Sequence, residues 1–299
     1  ANLEGPSAPG ATRRGVVADP GPRYDGTVYT GYPRFNYHPS AVAALKASGV
    51  DIVSTANNHA MDRGSHGANL TIATLRRAGL AYTGTIRAGT RRNFVAHTRT
   101  RLGRLAWIAC SFSTNGLADP ARQVLLCYRD RQELLGLVAR EAARADVAGV
   151  IVTPHWGLEY HRTPDQSQRR LARDLAAAGA TAIIGAHPHV VQSWEYIAGR
   201  GGRTVPVIYS NGNFVSSQGG LSRRTGTLSM LELCRAPGGG LAVARAGALP
   251  ILMTGGDAGP ELSVVPYRST GTLGAAEALV RRRVGETTLF PRLVCTRQD

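Results

Sequence analysis

Short apolar runs alternate with amphipathic segments along most of this chain, and this pattern predicts buried strands separated by helices. The predicted strands are 50–54, 81–83, 105–110, 147–153, 182–185 and 205–209, and the predicted helices are 39–46, 67–78, 131–145 and 163–179. The first helix has Pro39 at its first position and Gly49 beyond its end, which is the expected punctuation. This order of elements indicates an α/β fold with helices outside packed sheets.

Local signals refine this picture. Residues 5–35 are rich in Gly, Pro and Arg and predict a loop, whereas the alternation over 93–111 predicts a β-hairpin. Thr163 is predicted to cap the fourth helix, with Gln166 completing a capping box. Strands at 227–234, 241–246 and 262–267 and a helix at 274–283 are predicted near the end. Because no linker or repeat interrupts the chain, we expect one domain over 1–299, with a motif-bearing core at 1–218 and further strands and a helix at 219–299.

Polar clusters follow four of the predicted buried strands. The clusters are A-N-N-H at 56–59, H-W-G at 155–157, H-P-H at 187–189 and N-G-N at 211–213. In α/β sheets, sites form beyond the carboxyl ends of strands. Core packing alone does not account for four such clusters at one sheet edge, so the pattern predicts a functional site there.

The residue types in these clusters indicate a divalent metal. Imidazole nitrogen with amide or carboxylate oxygen suits Zn, Mn or Fe better than Mg or Ca. His155, His187 and His189 are the predicted histidine ligands, and Pro188 favours an extended segment that would point both flanking histidines the same way. The alternative is a set of histidines that line a pocket without binding metal. The other histidines are interpreted as ordinary core or surface residues, namely His38, His66, His97 and His161.

His59 has a different predicted role, because Asp62 lies three residues beyond it. A carboxylate that accepts a hydrogen bond from a histidine orients the ring and raises its basicity. His59 is therefore a candidate general acid that protonates a leaving group. The alternative is that Asn58, His59 and Asp62 only cap the helix that follows.

Composition adds a strong positive charge. The formal net charge is +15, and Lys46 is the single lysine among the 35 basic residues. A GC-rich genome that favours arginine codons explains this bias, and attraction to a polyanion is the alternative. No basic block is interleaved with aromatic residues, so no nucleic-acid partner is expected. No apolar run reaches the roughly 20 residues that cross a bilayer.

The spacing of the four cysteines predicts neither a structural zinc site nor a disulfide, and Cys110 and Cys234 are interpreted as buried small hydrophobes. No C-x-x-C pair occurs, which argues against a structural zinc site. Cys110 and Cys234 end apolar runs, and the spacing of these residues with Cys127 and Cys295 predicts no disulfide.

Four stretches together resemble the CapA family of poly-γ-glutamate capsule biosynthesis proteins, which belongs to the calcineurin-like metallophosphatase superfamily. They are V-D-I-V-S-T-A-N-N-H-A-M-D-R-G, H-W-G-L-E-Y, G-A-H-P-H-V-V-Q and Y-S-N-G-N-F, in the family's order. The opening N-L-E-G-P also resembles a family motif, so the resemblance spans about residues 1–218. It implies a four-layer αββα sandwich with a dinuclear centre of Mn, Zn or Fe.

The resemblance also assigns roles to individual residues. Asn58 would bind metal beside His59, and His155, His187 and His189 would complete the histidine ligands. Glu4, or less favourably Asn2, would stand near a bridging acidic ligand. Glu159 and Tyr160 would line the pocket or support His155, and the remaining predicted substrate contacts are Asn57, Asn211 and Asn213.

One family feature lies outside this sequence. Family members begin with a strand that ends in Gly-Asp, whose aspartate is a metal ligand, and this chain starts after it. We therefore expect a first sheet that lacks one strand, and two metals only where that aspartate is present. Binding of the second cation should be weaker without it, because hard-cation sites depend on carboxylates.

The resulting functional expectation is a protein of capsule or envelope polymer biosynthesis with a metallophosphatase-like site and metal-assisted hydrolase chemistry. Its expected partners are an acidic polymer or phosphoester substrate and other capsule-synthesis membrane proteins, in the cell envelope. The alternative is a non-enzymatic binding or export component that holds an acidic polymer on a basic surface.

Overall fold

Helices and strands alternate as the hydrophobic pattern predicts, and the α/β prediction is confirmed. The computed structural model describes residues 1–236, 239–256, 259–265 and 268–285. The helices are α1 Pro39–Ala47, α2 Gly64–Arg77, α3 Arg131–Ala142, α4 Gln166–Ala178, α5 Leu221–Arg224 and α6 Gly271–Val284. The strands are β1 Ile52–Ser54, β2 Ala81–Thr83, β3 Val95–Thr100, β4 Gly103–Ser111, β5 Val147–His155, β6 Ala182–Ile184, β7 Trp194–Ala198, β8 Thr204–Ile208, β9 Thr225–Arg235, β10 Leu241–Gly256 and β11 Gly259–Val264.

The chain divides into two compact units. The first comprises Ala1–Arg99, Ala106–Leu137 and Thr153–His155, and the second comprises Thr100–Leu105, Val138–Val152 and the chain from Trp156 onward. Strand β5 therefore contributes its last three residues, including His155, to the first unit. The expectation of one domain over 1–299 stays a prediction.

A small parallel sheet organises the first unit. Strands β1 and β2 pair in parallel, with Ile52 opposite Ala81. Residues 1–3 extend this sheet beside β1, because Ser54 N donates to Ala1 O at 2.7 Å and Leu3 N donates to Ser54 O at 2.9 Å. Side chains of α1, α2 and β1 pack beneath it in a core that includes Leu3, Val42, Val53, Leu75 and Leu80. This core fixes where the loop after β1 begins.

Close packing at Gly84 supports the same loop. Its φ is +95°, and a Cβ there would lie 2.4 Å from the Cβ of Ala56 and 2.8 Å from that of Ala109. No side chain fits that space, and L-residues rarely adopt this backbone conformation. Gly84 therefore lets the segment after β2 approach Ala56, the residue that leads into Asn57 and Asn58.

The second unit contains a mixed sheet and an antiparallel sheet. In the mixed sheet β5, β6, β8 and β7 are neighbours in that order, with β7 antiparallel to β8 and the other pairs parallel. The parallel register places Ile183 opposite Val207. Strands β11, β10 and β9 form the antiparallel sheet, and α6 packs on it through Ala276 against Leu252 and Val265.

Several local predictions needed correction. Helix α4 is capped by Asp165 and Gln168 in a complete capping box, not by Thr163 and Gln166, because Asp165 supplies the carboxylate that accepts from Gln168 N at 2.8 Å. Strand β7 and helix α5 were not predicted. Strand β10 extends well beyond 241–246. The strand predicted at 262–267 begins earlier, as β11, and its last two residues lie outside the described part of the chain.

The prediction of no disulfide is wrong. Cys110 and Cys127 form a disulfide with a Cα–Cα distance of 5.0 Å, and Cys234 is also disulfide-bonded. Ser111 pairs with Leu126 in a parallel bridge, so the end of β4 and the segment before Cys127 run side by side. Sequence spacing does not reveal this proximity. A cross-link over 17 residues stabilises a fold by about 3 kcal/mol. Cys295 lies outside the described residues.

Candidate metal centre

Three predicted ligands converge in the first unit. His155 Nε2 lies 2.8 Å from Asn58 Oδ1 and 3.6 Å from Glu4 Oε1. The His155 side chain is 1% exposed, and that of Glu4 is 22% exposed. The imidazole nitrogen of His155, the amide oxygen of Asn58 and the carboxylate of Glu4 thus face a common position. This position is buried on the side of His155 and open to solvent on the side of Glu4. A metal ion bound there would displace the proton from His155 Nε2.

Asn115 fixes the orientation of the Asn58 amide. Asn58 Nδ2 donates to Asn115 Oδ1 at 3.2 Å, which leaves Asn58 Oδ1 on the side of His155. Asn115 has a φ of +52° and lies on the loop that the Cys110–Cys127 disulfide closes. The sequence pattern did not indicate this residue. Its place in an S-T-N-G turn is the signal available in the sequence, and that turn does not point to Asn58.

Asn57 supports the loop from inside the fold. Its side chain is fully buried, and its Nδ2 donates to Leu3 O at 2.8 Å and to Asn2 Oδ1 at 3.4 Å. Its Oδ1 accepts from His59 N at 3.2 Å. These contacts tie residues 2–3 to the turn that carries Asn58 and His59. Asn57 was predicted to contact substrate, and its observed contacts instead hold the ligand-bearing turn in place.

His59 and Asp62 form the predicted pair. His59 Nδ1 lies 2.8 Å from Asp62 Oδ2, and both side chains are nearly buried, with 8% and 1% exposed. Asp62 Oδ2 also accepts from Phe35 N at 2.7 Å, and the Phe35 ring packs edge-on against the imidazole at 4.6 Å. The carboxylate therefore holds the proton at Nδ1 and leaves Nε2 as the atom that exchanges protons.

The buried residue Arg63, which the sequence pattern did not indicate, connects several backbone segments by hydrogen bonds. Its side chain is 1% exposed, and its guanidinium donates to the carbonyls of Ala11, Arg34 and Asp62 at 3.1–3.3 Å. It also donates to Val28 O and to the Thr30 hydroxyl. Burial lowers the pKa of Arg63, and the charge of Asp62 opposes that effect. One side chain thus ties the 5–35 loop to the turn that carries Asp62.

The H-P-H segment departs from the predicted extended geometry. His187 has a φ of +103° and His189 a φ of +58°, values that non-glycine residues rarely adopt. Trp156 N donates to Ala186 O, and Tyr160 N donates to Pro188 O. These hydrogen bonds hold the carbonyl groups of two alternate residues, and the chain turns between them. The two imidazole rings lie 6.0 Å apart between centroids. Strained backbone of this kind is concentrated at functional sites.

Asn213 positions His189 within the second unit. Asn213 Oδ1 lies 2.8 Å from His189 Nδ1, and Asn213 Nδ2 donates to Arg223 O at 2.9 Å. This contact assigns the proton to Nδ1, which is the arrangement that metal-binding histidines usually have. Asn213 was predicted to contact substrate. Its observed contacts orient a predicted ligand instead.

The remaining predicted residues also lie in the second unit. Asn211 Oδ1 accepts from the hydroxyls of Thr227 and Ser229, which ties the turn after β8 to β9. Tyr160 is 45% exposed and stacks on His189 with ring centroids 6.0 Å apart. Burial and the neighbouring Glu159 raise the pKa of Tyr160, and Arg223 opposes them. Glu159 is exposed, so it and Tyr160 are placed to meet a ligand from solvent.

The chemistry of both donor sets fits a divalent transition metal. The first unit offers one imidazole, one amide oxygen and one carboxylate, and the second offers two imidazoles, of which His189 is oriented by Asn213. Zn, Mn and Fe bind such mixed nitrogen and oxygen sets. The single carboxylate fits weaker binding than a site with several anionic ligands. Joining the two sets into one dinuclear centre stays a prediction from sequence.

The family model of the bacterial capsule synthesis protein PGA_cap matches residues 15–218. The chain belongs to this family of capsule synthesis proteins, and the resemblance read from its motifs is confirmed. It is 30% identical over 195 residues to the PGA biosynthesis protein CapA of Bacillus subtilis (strain 168), covering 64% of this chain and 50% of that protein. It is 32% identical over 196 residues to the capsule biosynthesis protein CapA of Bacillus anthracis, covering 62% of this chain and 45% of that protein. The chain spans about half the length of these relatives.

Similarity to solved structures is lower. The structure of the NAD nucleotidase NadN of Haemophilus influenzae aligns with a TM-score of 0.49 at 12% identity, covering 80% of this chain and 42% of that chain. Among the described residues, no helix is both long and apolar enough to cross a bilayer.

Proposed function

We propose that this protein is a divalent-metal-dependent hydrolase of capsule polymer biosynthesis. The observation that carries the proposal is the convergence of Asn58 Oδ1, His155 Nε2 and Glu4 Oε1 in the unit that also holds the His59–Asp62 pair. Metal donors and an oriented histidine in one compact unit are the components of metal-assisted hydrolysis. The proposed substrate is a phosphoester or an acidic polymer of the poly-γ-glutamate type, handled together with other capsule-synthesis membrane proteins.

Each residue has a distinct task in this chemistry. In the first unit Asn58, His155 and Glu4 would hold a cation, and in the second unit His187 and His189 are the predicted imidazole ligands. A bound divalent cation supplies Lewis-acid polarisation of the scissile group and a more acidic water. His59 donates the Nε2 proton to the departing oxygen while Asp62 retains the hydrogen bond at Nδ1. Phe35 excludes solvent from one face of the His59 ring.

An extracytoplasmic location in the cell envelope is part of the proposal. Disulfides persist in oxidising compartments and are rare in the bacterial cytosol. The Cys110–Cys127 and Cys234 disulfides support this location, as does membership of a capsule synthesis family.

Metal removal is the direct test of the proposed function. Purified protein with Mn²⁺ or Zn²⁺ is expected to hydrolyse a generic aryl phosphodiester or monoester, and a chelator should abolish that rate until metal is restored. His187→Ala should lower the rate by at least ~10-fold, because it deletes a predicted ligand. Initial rates across a metal titration measure both effects. Activity that survives the chelator, or that survives both His187→Ala and His59→Ala, would contradict the assigned site.

A second candidate function is supported by a basic cleft in the first unit. The cleft, about 620 Å³ in volume, has buried Leu80, Ile86 and Phe94 in its lining and three arginines, Arg76, Arg87 and Arg91. No acidic residue lines it, and among the described residues none of these arginines forms an ion pair. Apolar side chains in the cleft would contact the methylene groups of an acidic polymer, and the arginines would pair with its carboxylates. This supports the alternative of a component that holds an acidic polymer without hydrolysing it.

Charge removal in the basic cleft tests this alternative. The triple variant Arg76→Ala, Arg87→Ala, Arg91→Ala is expected to bind poly-γ-glutamate about tenfold more weakly, since each exposed pair contributes roughly 0.5 kcal/mol. Binding should also weaken as ionic strength rises from ~0.1 to ~1 M and should not require metal. The matched control removes the same charge from three exposed loop arginines, Arg13, Arg14 and Arg23. Equal losses in both variants, or binding that depends on metal, would refute a cleft-bound polymer.

A further inference from the structure

Helix α5 brings an arginine next to a predicted metal ligand. The guanidinium carbon of Arg223 lies 5.3 Å from the centre of the Tyr160 ring. His189 also stacks on that ring, with centroids 6.0 Å apart and an interplanar angle of 30°. Arg223 and His189 therefore both contact the Tyr160 ring within the second unit. Cation–π contact with tyrosine holds a guanidinium without neutralising its charge.

The position of Arg223 is fixed by hydrogen bonds. Its Nε donates to Gly219 O at 2.8 Å, and its carbonyl accepts from Asn213 Nδ2 at 2.9 Å. The same Asn213 amide accepts from His189 Nδ1. A single side chain thus ties the backbone of Arg223 to the ring of His189. Movement of one residue relative to the other would break contacts on both.

The charge of Arg223 is not neutralised by a carboxylate. Among the described residues, no ion pair includes Arg223. Its Nε is committed to Gly219 O, whereas the terminal nitrogens form the planar fork that binds carboxylate and phosphate oxygens in pairs. Together with burial, the exposed Glu159 raises the pKa of the neighbouring Tyr160.

We propose that Arg223 binds the anionic group of the substrate beside His189, with Tyr160 as the platform that positions it. The ligand chemistry is a carboxylate or phosphate oxyanion, which the guanidinium fork recognises through paired hydrogen bonds. This inference rests on the proposed function, because the site it describes adjoins a predicted metal ligand. It assigns Arg223 as the residue that selects an anionic substrate.

The test measures anion binding with and without metal. Inorganic phosphate and a short γ-glutamyl oligomer are titrated by calorimetry into chelator-treated and Mn²⁺-loaded full-length protein. Arg223→Ala is expected to raise the Kd of the recognised anion at least ~10-fold, as for loss of a charged hydrogen bond. Arg223→Lys should recover only part of the affinity, because it restores charge without the fork. Loss of affinity for phosphate alone, or for the oligomer alone, identifies the source of the oxyanion.

The control is Arg235→Ala, which removes an exposed arginine of β9 in the same unit. It should leave both Kd values unchanged. Metal content and Tm should be equal in the wild type and in all three variants, which separates anion recognition from folding. If the wild type binds neither anion, or if Arg223→Ala leaves both Kd values unchanged, the proposal is wrong. Titration of the chelator-treated protein measures the contribution of Arg223 to anion binding even if no metal-dependent hydrolysis is found.

Discussion

Replacing His155 with alanine is expected to lower the affinity of the protein for Mn²⁺ or Zn²⁺ at least ~100-fold, because loss of even supporting contacts around a metal costs about 10–100-fold. His155 Nε2 is the nitrogen toward which Asn58 Oδ1 and Glu4 Oε1 both point. Without it, two weak oxygen donors remain in the first unit. Calorimetric titration of chelator-treated protein, together with metal content after dialysis, measures the change.

His155 is buried, so the experiment needs a variant that leaves the core intact. Glu4→Gln keeps the shape of the side chain and removes only its charge, and it should weaken cation binding in the same direction by a smaller factor. The matched control is His161→Ala, which deletes an exposed imidazole. Equal Tm values for all metal-free proteins would separate ligand loss from unfolding. If His155→Ala binds metal as tightly as the control does, the first-unit donor set is wrong.

The positions of the main donors follow from a simple property of α/β sheets. Asn58 follows the end of β1, and His155 is the last residue of β5. The rule that sites form beyond carboxyl ends of strands is sufficient to select both residues. The His59–Asp62 contact is equally local, since the partners lie three positions apart within one turn. The ends of the strands therefore made Asn58 and His155 predictable, and the short separation in sequence made the His59–Asp62 pair predictable.

The missed features depend on contacts between distant segments. Asn115 reaches Asn58 across 57 residues, and the disulfide joins two segments whose proximity depends on the pairing of β4 with the following loop. The H-P-H backbone was predicted from the preferences of proline alone. Its actual turn depends on carbonyl contacts with Trp156 and Tyr160. Arg223 sits on a four-residue helix too short to leave a periodic signal.

His59→Ala is expected to lower the rate of hydrolysis by about 10²–10⁴-fold for substrates with poor leaving groups, since this is the usual contribution of a general acid. The effect should shrink for an ester of an acidic phenol, because that leaving group departs without a proton. Asp62→Asn should give a smaller loss of about 10–100-fold, since it removes the carboxylate that orients Nδ1–H without removing the ring. Rates across a series of aryl and alkyl esters measure the leaving-group dependence.

This dependence distinguishes proton donation from a structural role. Loss of the contacts that hold the 5–35 loop would slow every ester by the same factor, whatever its leaving group. Arg63→Lys provides that comparison, because it weakens the contacts of the loop with Asp62 and leaves the imidazole in place. A leaving-group slope that is the same in His59→Ala, Arg63→Lys and the wild type would exclude His59 as the acid. A steeper slope in His59→Ala alone assigns the proton to this ring.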